Sequence, residues 1–159
     1  MKRIARYSVL LTISLGIVGC GDGRPARVPV AGQVLIDGKP LTRGIVKFVS
    51  ASGRPAIGDL DAEGRFRLSC YEPNDGAIPG SYKVSVTSAE GLGPDATRWY
   101  APKKYSDYRT SGLAEEIKGP VDNLTIKISW EGGHEYVERE PGAGGAASDE
   151  KMPGRRKKN

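Results

Sequence analysis

The chain has 159 residues, 38% of them hydrophobic, which is enough for one two-layer core but not for two. Its formal net charge of +5 sits at the ends: Lys2, Arg3 and Arg6 open the chain, and residues 149–159 hold five basic and two acidic side chains. The body between is close to neutral and lacks the basic face that nucleic acids require, so a DNA or RNA partner is excluded. The two cysteines, Cys20 and Cys70, give no disulfide framework.

Behind the basic opening, residues 7–18 (YSVLLTISLGIV) form an apolar run within the range of a signal peptide and short for a membrane span. The run ends at Ile17-Val18-Gly19-Cys20, which resembles the lipobox of bacterial lipoproteins. That resemblance implies a signal peptide over 1–19, cleavage before Cys20, and lipid on the Cys20 thiol, with residues 20–27 as a tether. Gly21, rather than Asp, after the cysteine resembles the signal that sorts to the outer membrane. The expected partner is therefore a membrane, held through the lipidated N-terminus. The expected place is the cell envelope, facing the periplasm or the cell surface.

From Val28 the pattern turns to period two, as in half-buried strands. Val28, Val30, Gly32, Val34 and Ile36 share one face, and Asp37-Gly38-Lys39-Pro40 predicts a tight hairpin turn, because Asp-Gly tolerates positive φ. Residues 44–50 (GIVKFVS), apolar on both faces apart from Lys47, predict a central strand. A weak strand follows at 56–60, a turn at Asp61-Ala62-Glu63-Gly64, and an alternating strand at 65–70 that points Phe66, Leu68 and Cys70 inward. Cys70 is thus expected to be a small core hydrophobe, since a reactive thiol needs an exposed, electropositive setting.

Residues 71–79 make a longer loop. Residues 81–88 make the clearest strand, with Tyr82, Val84 and Val86 inward and Ser81, Lys83, Ser85 and Thr87 outward. Residues 90–110 have no period and are long for a connection, which marks them as functional or as carrying a short helical turn near 102–107. Strands at 113–118 and 123–130 complete seven, with Leu124, Ile126, Ile128 and Trp130 on one face of the last. Strands at roughly ten-residue intervals, with no amphipathic helix, predict an all-β antiparallel sandwich over 28–130. Abundant glycine (22) and proline (11) suit its many turns. Residues 131–159, Gly/Ala-rich and then basic, are expected to be a disordered tail.

These residues carry a family resemblance. Val30-x-Gly32-x-Val34, Asp37-Gly38-Lys39-Pro40-Leu41, Gly44-x-Val46-x-Phe48, Asp61-x-x-Gly64-Arg65-Phe66 and Pro79-Gly80-x-Tyr82-x-Val84-x-Val86 look like the carboxypeptidase regulatory-like domain. The resemblance implies a seven-stranded antiparallel Greek-key sandwich of the transthyretin (prealbumin) type, and an accessory rather than an enzyme.

The chemistry read from the residues agrees with an accessory. Asp59-x-Asp61-x-Glu63-Gly64 starts like a calcium loop but has Cys70 where the bidentate carboxylate belongs. Single His134, in Gly133-His134-Glu135, lacks the second histidine of a zincin. Asp75 with Asp95 or Asp107 would be needed for a carboxylate pair, and nothing in the spacing joins them. No metal, cofactor or catalytic residue is expected. The suggestive feature is aromatic: Trp99, Tyr100, Tyr105 and Tyr108, interleaved with Arg98, Lys103, Lys104 and Arg109, offer ring faces and cations for a sugar or protein partner. The reading is a non-enzymatic, lipid-anchored envelope module, structural or binding. The alternative is a carbohydrate- or peptide-recognition lipoprotein using segment 98–109, and a small hydrolase comes third.

Overall fold

The computed structural model describes residues 23–51 and 53–140. The expected lipidation site at Cys20, the signal peptide, and the stretch from 141 onward lie outside the described residues. Eleven strands follow in chain order: β1 (Val30–Ile36), β2 (Lys39–Pro40), β3 (Ile45–Val49), β4 (Ala56–Asp59), β5 (Arg65–Arg67), β6 (Gly80–Thr87), β7 (Ala89–Gly93), β8 (Ala96–Trp99), β9 (Leu113–Ile117), β10 (Val121–Ile128) and β11 (Tyr136–Arg139). One turn of 3-10 helix (Lys103–Ser106) lies between β8 and β9.

The fold is all-β and sandwich-like. One sheet runs β10-β1-β2, with β5 paired to the same edge of β1 as β2. The other runs β4-β3-β6-β9, and a small third sheet runs β11-β8-β7. Between the two larger sheets, Val34, Phe66, Ile126 and Ile128 from one face meet Val46, Phe48, Val84 and Val86 from the other, all buried. Phe48 sits at the centre, with the rings of Phe66 at 6.2 Å and Tyr82 at 5.8 Å. Strand alternation builds this interior directly, since inward residues occur at every second position.

The turns form as their chemistry dictates. Asp37 (φ 48) and Gly38 (φ 79) both adopt positive φ, so Ile36 pairs with Lys39 across a two-residue loop. In the next turn the Asp61 carboxylate accepts the backbone N–H groups of Glu63 and Arg65 at 3.0 and 2.7 Å. The acidic run at 59–63 is thereby explained by a turn.

All seven expected strands form, and four features differ from expectation. First, β1 and β10 pair in parallel, whereas an all-antiparallel sandwich was expected. The chain reaches β10 by crossing from the other sheet after β9, so no hairpin imposes an antiparallel partner. Second, Ser85 is buried at 4% exposure although its register faces it outward; it lies mid-sheet opposite Lys47, where longer neighbours shield a small side chain. The outward side of β3 is correspondingly wet: Ile45 and Lys47 are exposed, and only the other face is core.

Third, the aperiodic stretch after residue 88 is a hairpin, β7–β8, with a register shift between Gly91 and Gly93. All five residues of β7 are exposed, so nothing selects an alternating pattern there. The expected helical turn is present at Lys103–Ser106. Fourth, residues 136–139, expected in the tail, form β11 on the free edge of β8. Backbone pairing at an exposed edge needs no apolar period, so composition concealed it.

Candidate functional site

The parallel pairing of β1 with β10 gives the sandwich two distinct ends. Val30 meets Val121 at one end, where the chain enters, and Ile36 meets Ile128 at the other. Seven residues at about 3.3 Å each separate these ends by roughly 20 Å.

At the far end the Asp37 carboxylate clasps the two strands. It accepts Ser129 Oγ at 2.6 Å and the Trp130 N–H at 3.4 Å. Beside this clasp opens a groove of about 500 Å³, lined among others by Lys39, Leu41, Arg43, Tyr100, Trp130 and Glu135. Tyr100 is held in place. The Arg43 guanidinium lies 4.5 Å from its ring centre, and its hydroxyl donates to the Glu90 carboxylate on β7. Trp130 leans edge-on against Tyr136, with ring centres 6.3 Å apart. The groove thus presents two braced aromatic side chains among cations and carboxylates, the chemistry that stacks on sugar rings and hydrogen-bonds their hydroxyls.

The four aromatic residues singled out from the sequence fall into different settings. Tyr100 alone lines this groove. Trp99 is half-buried, its indole N–H donating to Glu138 on β11 at 2.9 Å, with the Lys103 ammonium 5.5 Å from its ring centre. Lys103 donates to both Glu138 carboxylate oxygens at 2.8 Å. That ammonium first, and then the indole N–H, hold the Glu138 carboxyl below the usual range. Tyr105 belongs to the core at 7% exposure, its hydroxyl accepting the Ser129 N–H at 3.3 Å. Tyr108 is exposed beside Lys83 and Ala114, at a separate apolar cavity of about 540 Å³. Among the described residues no two of these four rings pack on each other, so the expected continuous aromatic face does not form.

Trp130, Tyr136, Lys39 and Arg43 escaped the sequence reading. Trp130 was expected on one face of the last strand with Leu124, Ile126 and Ile128, whereas the strand ends at Ile128 and the ring lines the groove. An aromatic residue two positions past the strand and two before the Gly132-Gly133 pair was the available signal.

The carboxylates are engaged locally. Asp75 accepts three backbone N–H groups, and Asp107 is held to about 2 by hydrogen bonds from the Arg109 side chain and backbone. Cys70 is a core residue at 6% exposure, as expected, and burial pushes its thiol up, with the Asp75 charge adding to this. Native protein should therefore leave Cys70 unmodified by a thiol-alkylating reagent at neutral pH, while denaturant exposes it fully. Intact mass before and after unfolding reads this directly, and rapid native labelling would contradict it.

Comparison of the chain with protein-family models, with curated proteins and with solved structures finds no match in any of the three.

Proposed function

We propose that this protein is a non-enzymatic, lipid-tethered module of the bacterial cell envelope that binds an envelope glycan in the groove between Tyr100 and Trp130. Its sandwich is read as the seven-stranded Greek-key form of the transthyretin type, as in carboxypeptidase regulatory-like domains, extended by the accessory sheet β11-β8-β7. The observation that carries the reading is the placement of the groove. The tether enters at the Val30 end of β1, and the groove lies at the Ile36 end. A chain lipidated at Cys20 would hold the domain by one end and present the groove away from the bilayer. In this reading the acidic side chains are used in folding: Asp37, Asp61 and Asp75 each cap backbone N–H groups.

The test is retention of the protein on purified cell-wall glycans. Tyr100→Ala and Trp130→Ala should each weaken retention by roughly tenfold, the worth of one stacked aromatic ring. Thermal melting of each variant checks that the sandwich persists. Undiminished retention by the double variant would remove the groove from the proposal. Absence of retention by the unsubstituted protein would remove the glycan. A structural part for the sequence 98–109 is favoured by Tyr105 and Trp99, one built into the core and the other tied to Glu138.

A further inference from the structure

The tethered end carries a second cavity, of about 820 Å³, lined among others by Pro25, Ser50, Arg54, Tyr71, Ile78 and Tyr82. Tyr71 is its aromatic wall. The guanidinium groups of Arg24, Arg27 and Arg54 lie 5.1, 5.1 and 5.2 Å from the Tyr71 ring centre. Two of these cations are engaged: Arg24 pairs with Glu72 at 2.8 Å, and Arg27 with Asp75 at 2.9 Å. Arg54 is exposed and makes no ion pair among the described residues. It is a guanidinium steadied on a ring face, with its donors open to an incoming anion.

The position of this cavity narrows what that anion is. Gly23, the first described residue, is three residues from Cys20, so the two Cα atoms are at most about 11 Å apart. The headgroup zone of one leaflet is itself roughly 5–8 Å deep. A domain lipidated at Cys20 therefore keeps this end at the membrane surface. Arginine meets phosphate through paired N–H donors, and tyrosine is favoured where an apolar phase meets water.

We propose that the Arg54–Tyr71 cavity docks the phosphate headgroup of an anionic phospholipid in the bilayer that holds the anchor. The inference rests on the tether reading above. Docking there gives the domain a fixed orientation, with the Tyr100–Trp130 groove pointing away from the membrane.

The experiment uses the mature lipidated protein in vesicles of phosphatidylcholine alone, or of phosphatidylcholine mixed with phosphatidylglycerol. Flotation reads the tether, and backbone hydrogen exchange over 50–56 and 69–80 reads the docked face. Anionic vesicles should slow exchange in both segments by roughly fivefold relative to neutral ones, the effect of one arginine near an anionic surface. Arg54→Gln should abolish the difference, and Lys127→Gln, an exposed cation on β10, should preserve it. Flotation with equal exchange in both vesicles would overturn headgroup docking and leave the tether standing. Protein that does not float would overturn both. The Arg54 side chain makes no hydrogen bond within the described residues, and only its carbonyl meets Cys70, so the glutamine variant keeps the fold.

Discussion

Exchange of Cys20 for serine is expected to abolish fatty-acid incorporation and to leave a precursor that retains residues 1–19. A serine hydroxyl is not alkylated by the lipid donor, and by its likeness to a lipobox the site is cut only once the thiol carries lipid. The physical consequence is large. Each buried methylene contributes about 0.8 kcal/mol, so one acyl chain holds a protein only marginally, whereas a multiply acylated terminus holds it firmly. Metabolic labelling with a radioactive fatty acid, followed by intact mass of the purified product, measures both effects. An unlabelled wild-type protein, or a serine variant cleaved to the normal mature size, would overturn the tether. Cys70 provides an internal control: buried in the core, it should carry no label in either form.

How far the sequence specified the structure differs between core and site. Tyr82, Val84 and Val86 alternate on β6 because a half-buried strand forces period two, and that period is visible in any single chain. The Asp37-Gly38 turn was equally legible, because few residue pairs tolerate two consecutive positive φ values. β7, β8 and β11 were not legible, because their pairing is carried by backbone groups that every residue has. The groove was half legible. Tyr100 stood in the aromatic segment, but its neighbour Trp130 arrives from thirty residues further along the chain, brought there by the Asp37 clasp. Tyr105 shows the converse: it shares its local sequence with Tyr100 and Tyr108, yet a single 3-10 turn carries it into the core. Local composition identified a segment rich in rings, and tertiary register decided which of them lines the groove.

The loop at the Val30 end of β1 should fail when Asp75 is replaced by alanine, with a loss on the order of 3 kcal/mol at neutral pH from three orphaned backbone donors. Asp75 accepts the N–H groups of Cys70 at 2.6 Å, Tyr71 at 3.1 Å and Glu72 at 3.1 Å, and pairs with Arg27. These bonds hold the loop that continues into Gly76, where φ is +89 and an added Cβ would fall 1.8 Å from the Val28 carbonyl oxygen. The Val28–Ala77 bridge beside it fixes where the chain enters the sandwich. For a domain of this size the loss corresponds to a melting temperature lower by roughly 10 °C or more.

The pH dependence has a defined sign. Burial opposes the charge on Asp75, but the three N–H donors and Arg27 together outweigh it, so the folded carboxyl titrates below its ordinary value of 3.8. A carboxyl depressed by folding stabilises the protein above its unfolded pKa, and that contribution fades as pH falls through the lower folded value. The gap between the thermal melts of wild type and Asp75→Ala should therefore be widest at neutrality and should narrow as pH falls below 3.8. Asp75→Asn, which keeps one acceptor oxygen and no charge, should lie between them at pH 7. Coincident curves for wild type and the alanine variant across the whole range would show that the loop is held by Gly76 and the Val28–Ala77 bridge without the carboxylate.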